Sequence, residues 1–313
     1  MGSQAKNVQS KDVQGLTYFD MLIPLLERLH GEKCGRDKAS NRELFFDKHC
    51  MLVLLYMFNP TVTSLRAIAQ ASELEKVQKK LGRRRTSLGS LSEASRVFDA
   101  EPLKEIIQEL GEQASPISKD ARLSQIDQTI TLIDGSIVSA LPSIMQASLL
   151  KRTEGCERVQ WRLHTHFEVD RYVPTRIDVT PNGGGQYDER AVAEKTIEKD
   201  RLYVMDRGYA KFTLFNAIVK AESSYVCRLR DNTVYEVVQN RELSEAAIAT
   251  DVLSDQIVSL GKSSKNSDKP DHEIRLIQIR CTPHKNRTGA KAKGSTAPNS
   301  DGDLRIATNL LDV

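Results

Sequence analysis

The chain has 313 residues, 39% of them hydrophobic and 28% charged, enough to bury a sizeable core in one large domain or two ordinary ones. A net charge of +3 and a pI near 8.5 are too mildly basic to mark a nucleic-acid binder by themselves, so local clusters must carry any such argument. The longest apolar run, "MLVLLYMF" at 51–58, is far short of the ~20 residues that cross a bilayer, and the polar opening "MGSQAKNVQSKDVQG" lacks a signal-peptide core; a cytoplasmic protein without a membrane span is expected.

Residues 17–112 are expected to be helical. In "LTYFDMLIPLLERL", Leu16, Phe19, Leu22, Ile23 and Leu26 recur at the spacing of one helix face, and "RELFFDKHCMLVLLYMF" and "SLRAIAQASELEKVQ" continue the pattern. "SLSEASRVF" carries a capping-box spacing, Ser90 to Glu93, ahead of Val97 and Phe98. Just before it, "KKLGRRR" places Lys79, Lys80, Arg83, Arg84 and Arg85 within seven residues; a solvated helix end and a phosphate-contacting patch both fit that composition. Cys34, Cys50, Cys156, Cys227 and Cys281 are widely separated, without a C-x-x-C pair, and read as reduced thiols.

From residue 129 the texture becomes β-branched and aromatic. "TITLIDGSIVSAL", "VQWRLHTHFEV", "YVPTRIDVTP", "RLYVMDRG" and "SYVCRLR" read as strands bounded by Gly, Pro, Asn and Asp, with helices expected in "DERAVAEKTIEK" and "KFTLFNAIVKA". Three strands, a helix, a strand, a helix and a strand is the order of a ribonuclease-H-like sheet, in which the first strand is central and the fourth lies parallel beside it. Residues 231–303 read as a β-rich insertion with a polar, disordered loop at 282–303, after which "LRIATNLLDV" returns to strand character. The expected architecture is therefore an all-α region over 1–118 and an α/β, ribonuclease-H-like domain over 119–313.

If the first and fourth strands are neighbours, Asp134 of "TLIDGS" and Asp206 of "YVMDRG" stand side by side, because adjacent strands lie ~4.8 Å apart. Two carboxylates with open water positions suit Mg²⁺ or Mn²⁺, and such ions serve phosphodiester chemistry. Taken singly, an Asp before Gly or Arg is more often a turn or cap residue. His164 and His166, two apart on a strand, have no third nitrogen or sulfur ligand nearby and are expected to be half-exposed polar residues, not zinc ligands. "GGG" at 183–185 lacks the Lys-Ser/Thr of a phosphate loop and reads as a strand-to-helix turn.

Through "RRRTSLGSLSEASRVFD", "LIDGS", "WRLHTHFEVD", "VTPNGGGQYDER" and "YVMDRGYAKFTLF", in this order, the sequence resembles the DDE transposases of bacterial insertion sequences, the group named after insertion sequence four. That resemblance implies DNA cleavage and strand transfer with Asp134 and Asp206 as the first two acids of a metal-binding triad. It also implies Mg²⁺ or Mn²⁺ as cofactor, and binding of double-stranded DNA as transposon inverted-repeat ends and target, by a homodimer associated with the nucleoid. His164 matches a recurrent Leu-His, and Lys79, Lys80, Arg83, Arg84, Arg85 and Arg207 become the expected DNA contacts. The family's third acid lies in a Tyr-x2-Arg-x3-Glu-x6-Lys signature after the last strand. Tyr187, Arg190, Glu194 and Arg201 reproduce its spacing with Arg for Lys, but ahead of Asp206, so Glu194 is expected to be a surface residue. Since the sequence ends at Val313 before such a helix, and Glu273, Asp301, Asp303 and Asp312 have no rigid seat, the third acid is expected to be missing and activity lost. The competing readings are a catalytically inactive DNA-binding remnant and a metal-dependent nuclease outside transposition.

Overall fold

The computed structural model describes residues 8–32, 43–82, 85–117, 121–139, 160–261, 269–281 and 303–312. The described residues fall into two compact units, one up to Ile106 and one from Ile107 onward. Cys34, Cys156, Arg83, Arg84 and the segment 282–302, most of the expected disordered loop, lie outside the described residues.

The first unit is helical: α1 (Phe19–Leu26), α2 (Phe46–Phe58), α3 (Leu65–Ala71), α4 (Glu75–Leu81), α5 (Leu88–Val97) and the start of α6 (Pro102–Gln113). Its core takes Phe19 and Leu26 from α1, Met51, Leu52 and Leu55 from α2, and Leu91 and Ala94 from α5. Phe46 stacks on Phe98 with ring centroids 4.8 Å apart. The apolar run at 51–58 ends where Asn59 turns its amide back to donate to Leu55 O at 2.7 Å. The start of α5 differs from the capping-box reading. Ser87, not Ser90, is the N-cap, its hydroxyl accepting the Ser90 N–H at 3.0 Å. The same serine acceptor recurs three residues earlier in "TSLGS", and there it satisfies one of the orphan amides of the first turn.

In the second unit, the described strands form one sheet in the order β3-β2-β1-β4-β5-β9-β8-β7-β6. The strands are β1 (Thr129–Ser139), β2 (Gln160–Glu168), β3 (Val173–Pro181), β4 (Arg201–Met205), β5 (Ser224–Arg228), β6 (Tyr235–Asn240), β7 (Val252–Leu260), β8 (Ile274–Arg280) and β9 (Asp303–Thr308). β1 is antiparallel to β2 and parallel to β4, and β4 is parallel to β5. The expected insertion is no separate layer: β6, β7 and β8 continue the same sheet, joined to β5 through β9. Asp303 is the first residue of β9, so the strand begins inside the range expected to be loop.

The remaining helices are α7 (Glu189–Glu194), between β3 and β4, α8 (Phe212–Lys220), between β4 and β5, and α9 (Glu245–Ala249), between β6 and β7. α8 buries Leu214, Phe215 and Ile218 in a cluster with Tyr203, Met205, Tyr225 and Cys227, and Phe215 stacks on Tyr225 at 4.3 Å. Full burial of each such side chain stabilises by roughly 1.5–3 kcal/mol. α7 is shorter than its apolar pattern predicts, because the Thr196 hydroxyl donates back to Val192 O and Ala193 O and closes the last turn.

Candidate active site

The register fixes where the two acids stand. In the parallel ladder of β1 and β4 the last paired residues are Ile133 and Met205, and Asp134 and Asp206 are each the next residue along. Both are exposed. Asp134 lies inside β1, where its Oδ2 accepts a long hydrogen bond from the Ser136 hydroxyl at 3.4 Å. Asp206 lies just past β4 as the N-cap of a 3-10 turn, Arg207–Tyr209, its Oδ1 accepting the Gly208 N–H at 2.7 Å.

A third carboxylate reaches this edge, and the sequence reading missed it. Glu189 is the first residue of α7, next to Asp188, whose side chain caps the helix by accepting the Arg190 N–H at 3.0 Å. The Arg190 guanidinium also pairs with Asp188 at 2.7 Å, and this bonding holds the Asp188 carboxyl down at about 2. A Cβ built on Gly135 would stand 2.7 Å from Glu189 Oε2, and one built on Gly208 would stand 3.2 Å from Glu189 Oε1 and 2.9 Å from Asp206 Oδ1. Two glycines beside the two acids thus make room for one glutamate. The surviving signal in the sequence is that both acids are followed within two residues by Gly.

Glu189 is held from behind. Arg162 of β2 donates from Nη1 to Glu189 Oε2 at 2.6 Å and from Nη2 to Asn182 Oδ1 at 3.0 Å, and the Asn182 amide donates to Gln160 Oε1 at 2.9 Å. Burial pushes the Glu189 carboxyl above its usual range; the Arg162 charge opposes that, and the Asp206 charge adds to it. Tyr209 is 1% exposed, and its hydroxyl has no hydrogen-bond partner among the described residues. That hydroxyl would lie 3.4 Å from a Cβ at 135. Burial raises its pKa, and the charges of Glu189, Asp134 and Asp206 raise it further.

The histidines are not half-exposed, as their sequence setting predicts. His164 and His166 are buried at 3% and 4% exposure. His164 Nε2 shares a hydrogen bond with the Thr180 hydroxyl at 2.8 Å, and His166 Nε2 with the Thr196 hydroxyl at 3.1 Å, under the turn that ends α7. Burial, assisted by the Arg176 and Arg201 charges, lowers the His166 pKa to about 4. The His164 pKa is also lowered, by burial and then by Arg162. Neutral imidazoles bonded to threonine are core elements. Glu194 is exposed on α7, as expected.

In the helical unit, the described part of the basic run is largely paired with acids. Lys79 meets Glu75 at 2.6 Å one turn back, Lys80 contacts Asp20, and Arg85 meets Glu73 at 3.0 Å. Lys79 and Lys80 also occupy the last turn of α4, where cations complement the helix dipole, ahead of Gly82 as a left-handed C-cap. Arg207 is half-buried beside Asp206. Among the described residues, no helix is long and apolar enough to cross a membrane.

No family model matches the chain, and no curated protein matches it. Among solved structures, it is similar to a chain of the piggyBac transposase synaptic complex with hairpin DNA, at 11% identity and a TM-score of 0.38. The alignment covers 97% of this chain and 58% of that chain, so the present chain spans little more than half the length of that one.

Proposed function

We propose that the chain is a transposase-like protein that cleaves transposon ends and transfers strands with Mg²⁺ or Mn²⁺ held at Asp134 and Asp206. The observation that carries the reading is the parallel register of β1 and β4, which makes Asp134 and Asp206 successors of one paired couple, Ile133 and Met205. In the order β3-β2-β1-β4-β5 around them, β1 is flanked by β2 and by a parallel β4, as the ribonuclease-H-like reading expects, and this supports the same proposal. The quoted motifs supply the likeness to insertion-sequence-four transposases.

The residues fit a divalent cation. Carboxylate oxygens are the donors that Mg²⁺ and Mn²⁺ prefer. Both acids are exposed, and the buried Tyr209 hydroxyl beside them is without a protein partner among the described residues. Among the described residues, no three His, Cys, Asp or Glu side chains form a ready metal cage. Mg²⁺ usually keeps several waters, so a pair of carboxylates would leave most of its coordination sphere to water and DNA oxygens. When bound, the ions would activate a water or 3′-hydroxyl and stabilise the leaving oxygen. Asp134 and Asp206 would hold them, while the Gly208 amide fixes the Asp206 carboxylate through Oδ1. Lys79, Lys80, Arg83, Arg84, Arg85 and Arg207 would contact phosphates, and the active species would be a homodimer on two DNA ends.

The test is binding and cleavage of duplexes tiling the genomic DNA on either side of the coding sequence, with Mg²⁺ or Mn²⁺. Preferred binding to one pair of inverted repeats is expected, and nicking at their ends that Asp206→Asn abolishes would assign the full transposase activity. Nicking of any duplex alike assigns a general nuclease, and specific binding without nicking assigns an inactive remnant. Absence of both binding and nicking overturns the reading altogether.

A further inference from the structure

Base readout needs a rigid helix with uncommitted side chains on one face, and the helical unit holds one. We propose that α5 lies in the major groove of duplex DNA and reads base edges through its outer face, with Arg96 on a guanine and Ser92 beside it. The inference rests on the DNA-binding reading above and deepens it, adding a reader of sequence to phosphate contacts that carry no sequence information.

α5 is fixed from behind. Its inner face buries Leu91, Ala94 and Val97. Its start is tied to the end of α3, because the Thr86 N–H donates to the Ser72 hydroxyl at 3.0 Å, and at its far end Phe98 stacks on Phe46 of α2. At about 3.6 residues per turn, this burial puts Gly89, Ser92 and Arg96 in the middle of the opposite face. All three are exposed. Neither Ser92 nor Arg96 has a hydrogen bond or ion pair among the described residues. A Cβ on Gly89 would meet no side chain but Ser87, at 3.8 Å, so packing within the chain does not call for a glycine there. Glycine weakens a helix relative to alanine, and what its missing side chain provides on an outer face is close approach by a partner.

Charge and shape choose the occupant. Lys79 and Lys80 end α4 and Arg85 stands two residues before the Ser87 N-cap, so cations precede α5 in the chain, as suits a helix flanked by phosphates. An α-helix with its side chains is about 10–12 Å across, which a major groove about 12 Å wide admits. Arginine pairs with guanine O6 and N7 in bidentate fashion, serine bonds to several base edges, and Leu88, exposed at the head of α5, offers apolar surface to a thymine methyl. α4 is the rival reader, and its side chains are engaged within the chain: Lys79 by Glu75, Lys80 by Asp20, and the Gln78 amide by the carbonyls of Ser72 and Glu73. Exposed ion pairs are weak enough to exchange for phosphate, but they hold no fixed donor toward a base. Arg96 also complements the dipole in the last turn of α5, a role that would not discriminate between base pairs.

Selection of bound duplexes from a randomised library by the full chain, read by sequencing, tests this. Wild type is expected to enrich one motif containing a guanine whose preference Arg96→Ala removes. Affinity of that variant for the enriched duplex should fall roughly 5- to 150-fold, with little change on random duplex. Arg96→Gln should move the preference at the same position from guanine to adenine, since a carboxamide pairs with adenine N6 and N7. Arg85→Ala should weaken enriched and random duplex alike. Folding is checked by circular dichroism; should the Arg96 variants fail to fold, Arg96→Lys keeps the cation in the last turn and is expected to weaken the preference at that guanine. The wild-type motif enriched at unchanged affinity by the Arg96 variants overturns the role of α5 and spares the transposase reading. Duplex binding by wild type without any motif also overturns base readout, while nicking that Asp206→Asn abolishes would still support the metal site. Absence of duplex binding overturns this inference and the DNA-binding reading together.

Discussion

Replacing Gly135 with alanine probes the packing of α7 on β1. The new Cβ would stand 2.7 Å from Glu189 Oε2, whereas its distances to the Tyr209 hydroxyl and Arg162 Cδ, 3.4 and 3.5 Å, are ordinary contacts. The clash is therefore with one atom, on the order of 1 Å inside the ~3.5 Å at which non-bonded atoms attract. A glutamate tip in solvent would swing away at little expense. This one is held at 2.6 Å by an arginine whose side chain is 16% exposed. Breaking a hydrogen bond of that charged kind costs about 1.5–3 kcal/mol, and alanine recovers roughly 0.5–1 kcal/mol over glycine within a strand. The net expectation is a loss of about 1–2 kcal/mol, or a fall in Tm of ~2–4 °C per kcal/mol in a domain of this size. The assay is denaturation of wild type, Gly135→Ala, Glu189→Ala and the double variant. With Glu189 truncated the obstruction is gone, so alanine at 135 should become neutral or slightly stabilising. Equal destabilisation in both backgrounds would refute the contact as the reason for the glycine.

Two further outcomes are expected. His49 and His166 are held neutral by burial, each with its pKa lowered to about 4, so the unfolded chain binds protons that the folded chain refuses. Their contribution is complete above pH ~6.5, the unfolded value, and is lost as pH falls through 4, at about 3 kcal/mol per histidine; urea unfolding of His166→Gln should show a flatter pH profile over that window, and an unchanged profile would contradict it. Replacing Arg83, Arg84 and Arg85 with alanine should weaken binding to specific and random duplex alike and lower the salt slope by up to ~2.7, at ~0.9 for each phosphate no longer neutralised. The Arg85–Glu73 pair points to a smaller drop, and an unchanged slope would mark the run as solvated surface.

The strands and the adjacency of β1 and β4 were legible in the sequence because they depend on local signals. Alternating β-branched residues mark strands, and a crossover helix returns the chain parallel to a neighbour. Glu189 was not legible, because what distinguishes it from other helix acids is proximity to Gly135 and Gly208, set by the turn after β3 and by Arg162 on another strand. The burial of His164 and His166 escaped for a similar reason. Their partners, Thr180 and Thr196, come from β3 and from the end of α7, and no spacing within "HTH" announces them. In the helical unit the run "KKLGRRR" shows its charge in sequence but hides its neutralisers, because Asp20 lies on a different helix from Lys80.

The structure separates the two acids where the sequence treats them alike. The plain reading of an Asp beside Gly is a turn or cap, and for Asp206 that reading holds: it caps a 3-10 turn and accepts the Gly208 amide. For Asp134 the plain reading fails. β1 continues four residues beyond Gly135 to Ser139, paired with β2 throughout, so the Asp-Gly step lies within a strand and makes no turn. Glycine weakens a strand interior and is kept where another group must come close. Here that group is the Glu189 carboxylate. The glycine at this strand position thus seats a half-buried acid, and Arg162 of the neighbouring strand holds that acid and offsets the like charge it adds beside Asp206.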